Sequence, residues 1–341
     1  MAARSMTQAL PSIPERRNVA AETFRSEIVP GNRPVVIRGL VGHWPAVLEG
    51  RRSPQSLCAY LRRFDRQRPV DTLVGSPSIN GHFFYREDMT GLNFERVKEP
   101  FGSALDRLLA HLDESAPPAL SIQSTPIPDY LPGFDREHTL GLVSSSKPRI
   151  WIGNAVHVAT HFDVASNVAC VVAGRRRFTL FPPDQLPNLY VGPFDFTPSG
   201  QPVSMVALDN PDFDRYPRFR TALENAQQAE LEPGDALFIP FAWWHNVQSL
   251  DRFNMLINYW WNEPRQTGGS PLDSLLHAIL NLRELPANER EAWRILFNHY
   301  VFKTNGEPMD HLAPEHRGMM GPLTPGLMQQ IKAALLRSLS R

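Results

Sequence analysis

The chain has 341 residues, 42% of them hydrophobic, and its 35 lysines and arginines are matched by 35 aspartates and glutamates. That length suits one large β-barrel as well as two smaller domains, and the balanced charge gives no global signal for nucleic acid or an anionic membrane. Only two cysteines occur, Cys58 and Cys170, too few for a disulfide framework, and no apolar run approaches membrane-spanning length, so a reducing cytoplasm is the expected setting.

Residues 1–18 scatter Pro, Ser and Arg without periodicity and read as a flexible arm. A short helix is expected around Ala20 to Ile28 and a strand over Pro34 to Arg38. Ser53-Pro54 combines a capping side chain with a first-turn proline, and Leu57, Leu61 and Phe64 give the helix beyond it an apolar stripe. Gly81 to Tyr85 reads as a strand. Asn93 or Gly102-Ser103 reads as a cap for the helices just downstream, where Leu105, Leu108, Leu109 and Leu112 recur at helical spacing. Ala119 to Gln123 is expected as a strand with Ser121 and Gln123 on a common face, and the Pro-rich span Pro126 to Pro132 as a loop bordering a substrate groove.

Trp151 to Pro182 carries the densest strand pattern, broken at Gly174. Inside it, Val156, Val158, Thr160, Val164 and Val168 favour a strand, which would project His161 and Asp163 from one face. A lone His-x-Asp is a weak signal, since histidines often hydrogen-bond a nearby carboxylate. A second feature strengthens it: the turn Pro233-Gly234-Asp235, an apolar strand from Ala236 to Ile239, then Trp244-His245. Two histidines and a carboxylate on one side of a metal leave positions open for Fe(II) oxygen chemistry. His157 and His161, four apart, would instead share a helix face as a zinc pair, but the β-branched residues between them argue against that helix. The region 186–228 is rich in Pro, Gly and aromatics and reads as an insertion between two halves of a barrel. Beyond Pro264 lie three apolar stripes at helical spacing, built on Leu272, Leu275, Leu276 and Ile279, on Trp293, Leu296, Phe297 and Tyr300, and on Leu327, Ile331, Ala334, Leu335 and Leu339.

The stretch from Trp151 to Trp261 resembles the JmjC-type, cupin-like Fe(II)/2-oxoglutarate oxygenases, and within them the asparaginyl hydroxylase that inhibits hypoxia-inducible factor. The segments that carry the resemblance are His161-Phe162-Asp163, Gly174 to Gln185, Asp209 to Pro217, Pro233 through His245, and Asn258-Tyr259-Trp260, with weaker likeness at Arg33 to Leu40. It implies a mostly β double-stranded β-helix (a cupin or jelly-roll) over residues 19–264, with flanking N-terminal α/β elements. Residues 265–341 would be a C-terminal helical segment that caps the barrel or pairs two subunits in a homodimer.

The resemblance also implies Fe(II) held by His161, Asp163 and His245, 2-oxoglutarate as cosubstrate, and O2. Arg176 would anchor the distal carboxylate, although Arg175 and Arg177 compete for that part. Asn167, Asn258 and Ser121 would flank the cosubstrate, and Gln123 and Trp260 would face the substrate. Ser121 and Val158 stand where the hydroxylase has a tyrosine and a threonine, so partners of that carboxylate are missing. The implied activity is hydroxylation of a protein or peptide side chain or a small molecule, yielding succinate and CO2, with N-methyl demethylation open to the same chemistry. A metal- or ligand-binding cupin without oxidative activity, and a metal-dependent isomerase or lyase, are the competing readings.

Overall fold

Alternation of apolar and polar residues sorts the strands into two sheets, seen in a computed structural model that describes residues 10–143, 146–262 and 269–339. The strands are β1 (Glu15–Arg17), β2 (Val35–Arg38), β3 (Pro69–Gly75), β4 (His82–Phe83), β5 (Phe94–Pro100), β6 (Ala119–Pro126) and β7 (Arg149–Gly153). They continue with β8 (His157–Phe162), β9 (Ser166–Ala173), β10 (Arg176–Phe181), β11 (Gln227–Leu231), β12 (Ala236–Ile239), β13 (Trp244–Ser249) and β14 (Asn254–Trp261). Nine form one sheet in the order β1-β2-β12-β9-β14-β7-β6-β3-β5, and five form the other in the order β11-β10-β13-β8-β4.

The inner faces of both sheets meet in one apolar core. Val36, Ala169, Val171, Leu237, Ile239 and Leu256 come from the nine-stranded sheet, and Phe178, Leu180, Leu231 and Val247 from the five-stranded one. The opposite face of the larger sheet, with Ile37, Val168, Cys170, Phe238 and Ile257, is covered by helices that contribute Leu57, Leu61, Phe101, Leu105 and Phe134. This is the expected jelly-roll, or double-stranded β-helix, with helices on one flank.

Local signals explain several elements. Ser53 caps the helix Pro54–Arg62 by accepting the Ser56 amide at 3.0 Å, with Pro54 in the first turn. The turn between β9 and β10 places Gly174 at φ +67, where a Cβ would fall 2.3 Å from Asn254 Oδ1 and 2.4 Å from Phe253 O. Cys58 and Cys170 are free and buried, and burial pushes both thiols well above their usual range. No helix among the described residues is long and apolar enough to cross a membrane.

Some expectations are corrected. Residues 1–9 lie outside the described residues, but the flexible arm does not extend to residue 18. Ile13 is buried in the core between the sheets, and β1 pairs parallel with β2 while Arg38 reaches Glu15. Asn93 caps no helix: its side chain accepts from Phe84 N at 2.8 Å and donates to His82 O at 2.9 Å. Directly after Asn93 the chain enters β5, an edge strand whose Glu95, Arg96 and Lys98 obscure the strand pattern. The Pro126 to Pro132 span is a packed turn, with a short helix Ile127–Tyr130 and Ile127 and Leu131 buried against the helical flank. The insertion ends before residue 227, where β11 begins, and it packs Leu189, Val206, Phe219 and Ala222 on Phe181 and Trp244, on the outer face of the five-stranded sheet.

Contacts divide the chain into two compact units, Met1–Asn262 and Glu263–Arg341. The second unit carries helices Pro271–Leu282, Ala287–Tyr300 and Pro325–Leu339, none with a buried residue. Ser270 caps the first of them through the Leu272 amide at 3.2 Å.

Candidate metal centre

Asp163 lies one residue past the end of β8, and His161 is the fifth residue of that strand. His245 is the second residue of β13, which pairs antiparallel with β8 so that His245 stands directly opposite His161. Cross-strand partners share a face, and here that face looks inward. A register shift between His245 and Val247 lets the histidine pair and the Val247–Val158 pair both face the core. His161, Asp163 and His245 thus offer ligand atoms all within 4.8 Å of one another, with the imidazole centroids 4.3 Å apart.

Hydrogen bonds orient each of the three groups. His161 Nδ1 donates to Ala159 O at 2.9 Å and His245 Nδ1 to Trp243 O at 3.0 Å, which leaves both Nε2 lone pairs free toward Asp163. His245 Nε2 lies 3.7 Å from Asp163 Oδ2. Burial first, and the facing His245 second, hold His161 below the usual histidine range, in the neutral form a metal requires. Trp260 Nε1 donates to Asp163 Oδ2 at 2.8 Å, and Asn167 Nδ2 approaches the same oxygen at 3.4 Å. Asn258 Nδ2 in turn donates to Asn167 Oδ1 at 2.9 Å. Asn167, Asn258 and Trp260 therefore form a polar chain behind the carboxylate. The chain joins β9 and β14 to Asp163 at the end of β8, and its link from Trp260 to Asp163 has no signal in the sequence.

The three arginines after Gly174 separate clearly. Arg175 pairs with Asp251 at 2.9 Å, and Arg177 with Glu230, both at the surface. Arg176 is 5% exposed and shares the inward face of β10 with Phe178 and Leu180. Leu180 pairs with His245 and Arg176 with Ser249, so Arg176 lies four residues, about 13 Å, along the sheet from the histidine pair. Burial pulls its guanidinium down to about 10. No acidic side chain pairs with it among the described residues, and its Nε is buried without a hydrogen-bond partner. Trp151 Nε1, on the inner face of β7, is a second buried donor without a partner. Ser121 and Gln123 share a face of β6 and hydrogen-bond each other at 2.7 Å.

The buried donors of Arg176 and Trp151, which have no partner on the inner face, fit an acceptor-rich guest, and a donor set of two imidazoles and a carboxylate fits Fe(II). A metal held by His161, Asp163 and His245 and an anion held by Arg176 would both occupy the space between the sheets. A jelly-roll with this inward-facing donor set is a cupin. The chain belongs to the cupin-like domain family, which it matches over residues 20–267.

Among its relatives, the lysine-specific demethylase JMJ31 of Arabidopsis thaliana is 28% identical over 277 residues, 71% of this chain and 48% of that protein. The tRNA wybutosine-synthesizing protein 5 of Gallus gallus is 26% identical over 316 residues, 82% of this chain and 91% of that protein. The lysine-specific demethylase 8 of Xenopus tropicalis is 27% identical over 254 residues, 74% of this chain and 53% of that protein. The chain thus spans about half the length of the two demethylases and nearly all of the wybutosine-synthesizing protein.

Proposed function

We propose that the protein is an Fe(II)- and 2-oxoglutarate-dependent dioxygenase that hydroxylates a C–H bond of a protein or peptide side chain or of a small molecule. His161, Asp163 and His245 hold the iron. Arg176 holds the distal carboxylate of 2-oxoglutarate, and Trp260, Asn167 and Asn258 fix the orientation of Asp163. Bound Fe(II) supplies the coupled reaction in which one atom of dioxygen goes into succinate, carbon dioxide leaves, and the other atom enters the substrate C–H bond.

The observation that carries this reading is Arg176. A cupin that only holds a metal has no use for a guanidinium buried on the inner face of its barrel, without a carboxylate partner among the described residues. Burying an unpaired charge is costly, and a dicarboxylate ligand removes that cost through paired charge-assisted hydrogen bonds. The same observation disfavours an isomerase or lyase, which needs no such cosubstrate. The relatives' names support oxidative chemistry on lysine side chains or modified tRNA. The narrower likeness to the asparaginyl hydroxylase supports a peptide side chain as target, with N-methyl groups open to the same hydroxylation.

The test is 2-oxoglutarate turnover by the iron-loaded chain, screened with peptides, methylated peptides and metabolites. Stimulated succinate release with one class names the substrate. Absence of any 2-oxoglutarate consumption or binding would refute the assignment.

A further inference from the structure

The outer face of the five-stranded sheet carries a second set of histidine and carboxylate groups, apart from the inward-facing centre. Strand β4 runs parallel to β8 and places His82 beside His157. Their rings stack with centroids 3.9 Å apart and planes 22° from parallel. Asp209, from the insertion, brings its Oδ2 to 3.1 Å from His82 Nε2. One ligand atom from each of His82, His157 and Asp209 lies within 4.8 Å of the others.

We propose that His82, His157 and Asp209 form a second divalent-cation site, of the zinc type, that clamps β4, β8 and the insertion together. Two imidazoles and a carboxylate are ligands that Zn2+ accepts, with a fourth position left to water. Tetrahedral ligands at about 2.0 to 2.1 Å from zinc lie about 3.4 Å apart, close to the His82–Asp209 separation. The wider separations close by rotation of Asp209, whose side chain is 49% exposed, and by a turn of the 34% exposed His82 ring out of its stack on His157, so that both imidazole lone pairs converge on the ion.

The frame that carries these ligands is rigid. Asn93 brackets β4 with bonds on both sides of Phe83, to His82 O and from Phe84 N. His157 N donates to Gly81 O at 2.8 Å, and at Gly81, φ +80, a Cβ would meet Ala155 O at 2.4 Å, so the two strands sit closer than any side chain at position 81 permits. His157 Nε2 faces the Gln248 amide at 3.3 Å, whose oxygen accepts from Arg177 at 3.3 Å, so this amide must turn aside if Nε2 is the nitrogen that binds the metal. Arg177, the nearby cation, is already neutralised by Glu230. Asp209 sits in a turn of the insertion that already rests on the sheet, with Ser204 N donating to Thr160 O at 2.8 Å five residues upstream, and a bound cation would tie the turn there more firmly.

The experiment counts Zn2+ bound at equilibrium by the metal-stripped full chain and by its His82→Gln and Asp209→Asn variants. Both positions are partly exposed, which keeps the fold outside the question. Each variant is expected to bind one Zn2+ fewer than the parent and to lose the rise in melting temperature that Zn2+ gives the parent. Asp209→His, which supplies a nitrogen ligand from the same place, is expected to keep the site. The count is a difference between chains that share the His161–Asp163–His245 centre, so it stands whatever that centre binds. Equal Zn2+ counts in the parent, His82→Gln and Asp209→Asn would overturn the proposal.

Discussion

The indole N–H of Trp260 donates to Oδ2 of Asp163 at 2.8 Å, the same oxygen that faces His245 Nε2 at 3.7 Å. The carboxylate therefore has one oxygen fixed and can turn only about that anchor. Trp260→Phe keeps an aromatic ring and removes the donor. Losing such a support typically costs a site roughly 10- to 100-fold in metal affinity or activity. The expected outcome is weaker Fe(II) binding in that range with an unchanged circular dichroism spectrum, measured by Fe(II) titration under anaerobic conditions. Unaltered affinity and turnover would give the indole a packing role only.

Arg176 supplies the cleanest separation of charge from surface decoration. A charge-assisted pair contributes on the order of 1.5 to 3 kcal/mol, so Arg176→Ala should raise the dissociation constant of 2-oxoglutarate by roughly one to two orders of magnitude. Lysine should restore part of the affinity, because it returns the charge but not the planar fork. Arg175→Ala and Arg177→Ala, which break surface pairs with Asp251 and Glu230, should leave cosubstrate affinity unchanged.

Gly174 is a stability test of the same turn. Its positive φ and the backbone and side-chain oxygens within 2.4 Å of a would-be Cβ leave no room for a methyl group. Gly174→Ala should destabilise the fold by about 1 to 3 kcal/mol, read from chemical denaturation. A smaller effect would mean that the β9–β10 turn relaxes freely.

How much of the fold and site is legible in the sequence depends on what kind of contact carries the information. His161 and Asp163 are legible because a two-residue spacing in a β-branched run is local. His245 is legible because the Pro233-Gly234-Asp235 turn announces the strand before it. The choice among Arg175, Arg176 and Arg177 stays open in the sequence, since it hinges on which way β10 leaves the Gly174 turn, and only pairing with β13 settles that parity. Trp260 is expected from the sequence to face the substrate, and its bond to Asp163 spans 97 residues with no periodic signature. β5 is hidden by its charged edge, and β1 by its brevity.

The second unit exposes Leu276 and Trp293 by 49% and 43%, with Leu296 at 41%. We propose that these helices pair two copies of the chain, since apolar stripes of this size call for cover. Sedimentation of the full chain should report a dimer, and the double substitution Leu276→Glu with Leu296→Glu should shift it to monomer. A monomer independent of concentration would rule the pairing out.

The proposed iron held by His161, Asp163 and His245 is one that 2-oxoglutarate would chelate, and an anaerobic titration of the Fe(II)-loaded chain with 2-oxoglutarate, followed by visible charge-transfer absorption and then by exposure to O2, reads both events. The parent chain should develop the band, saturate at one cosubstrate per chain, and lose the band in oxygen as succinate forms, while His245→Ala should show neither band nor succinate. A parent chain that binds Fe(II) but develops no band at saturating 2-oxoglutarate, or a His245→Ala chain whose band matches the parent's, would rule out this iron centre.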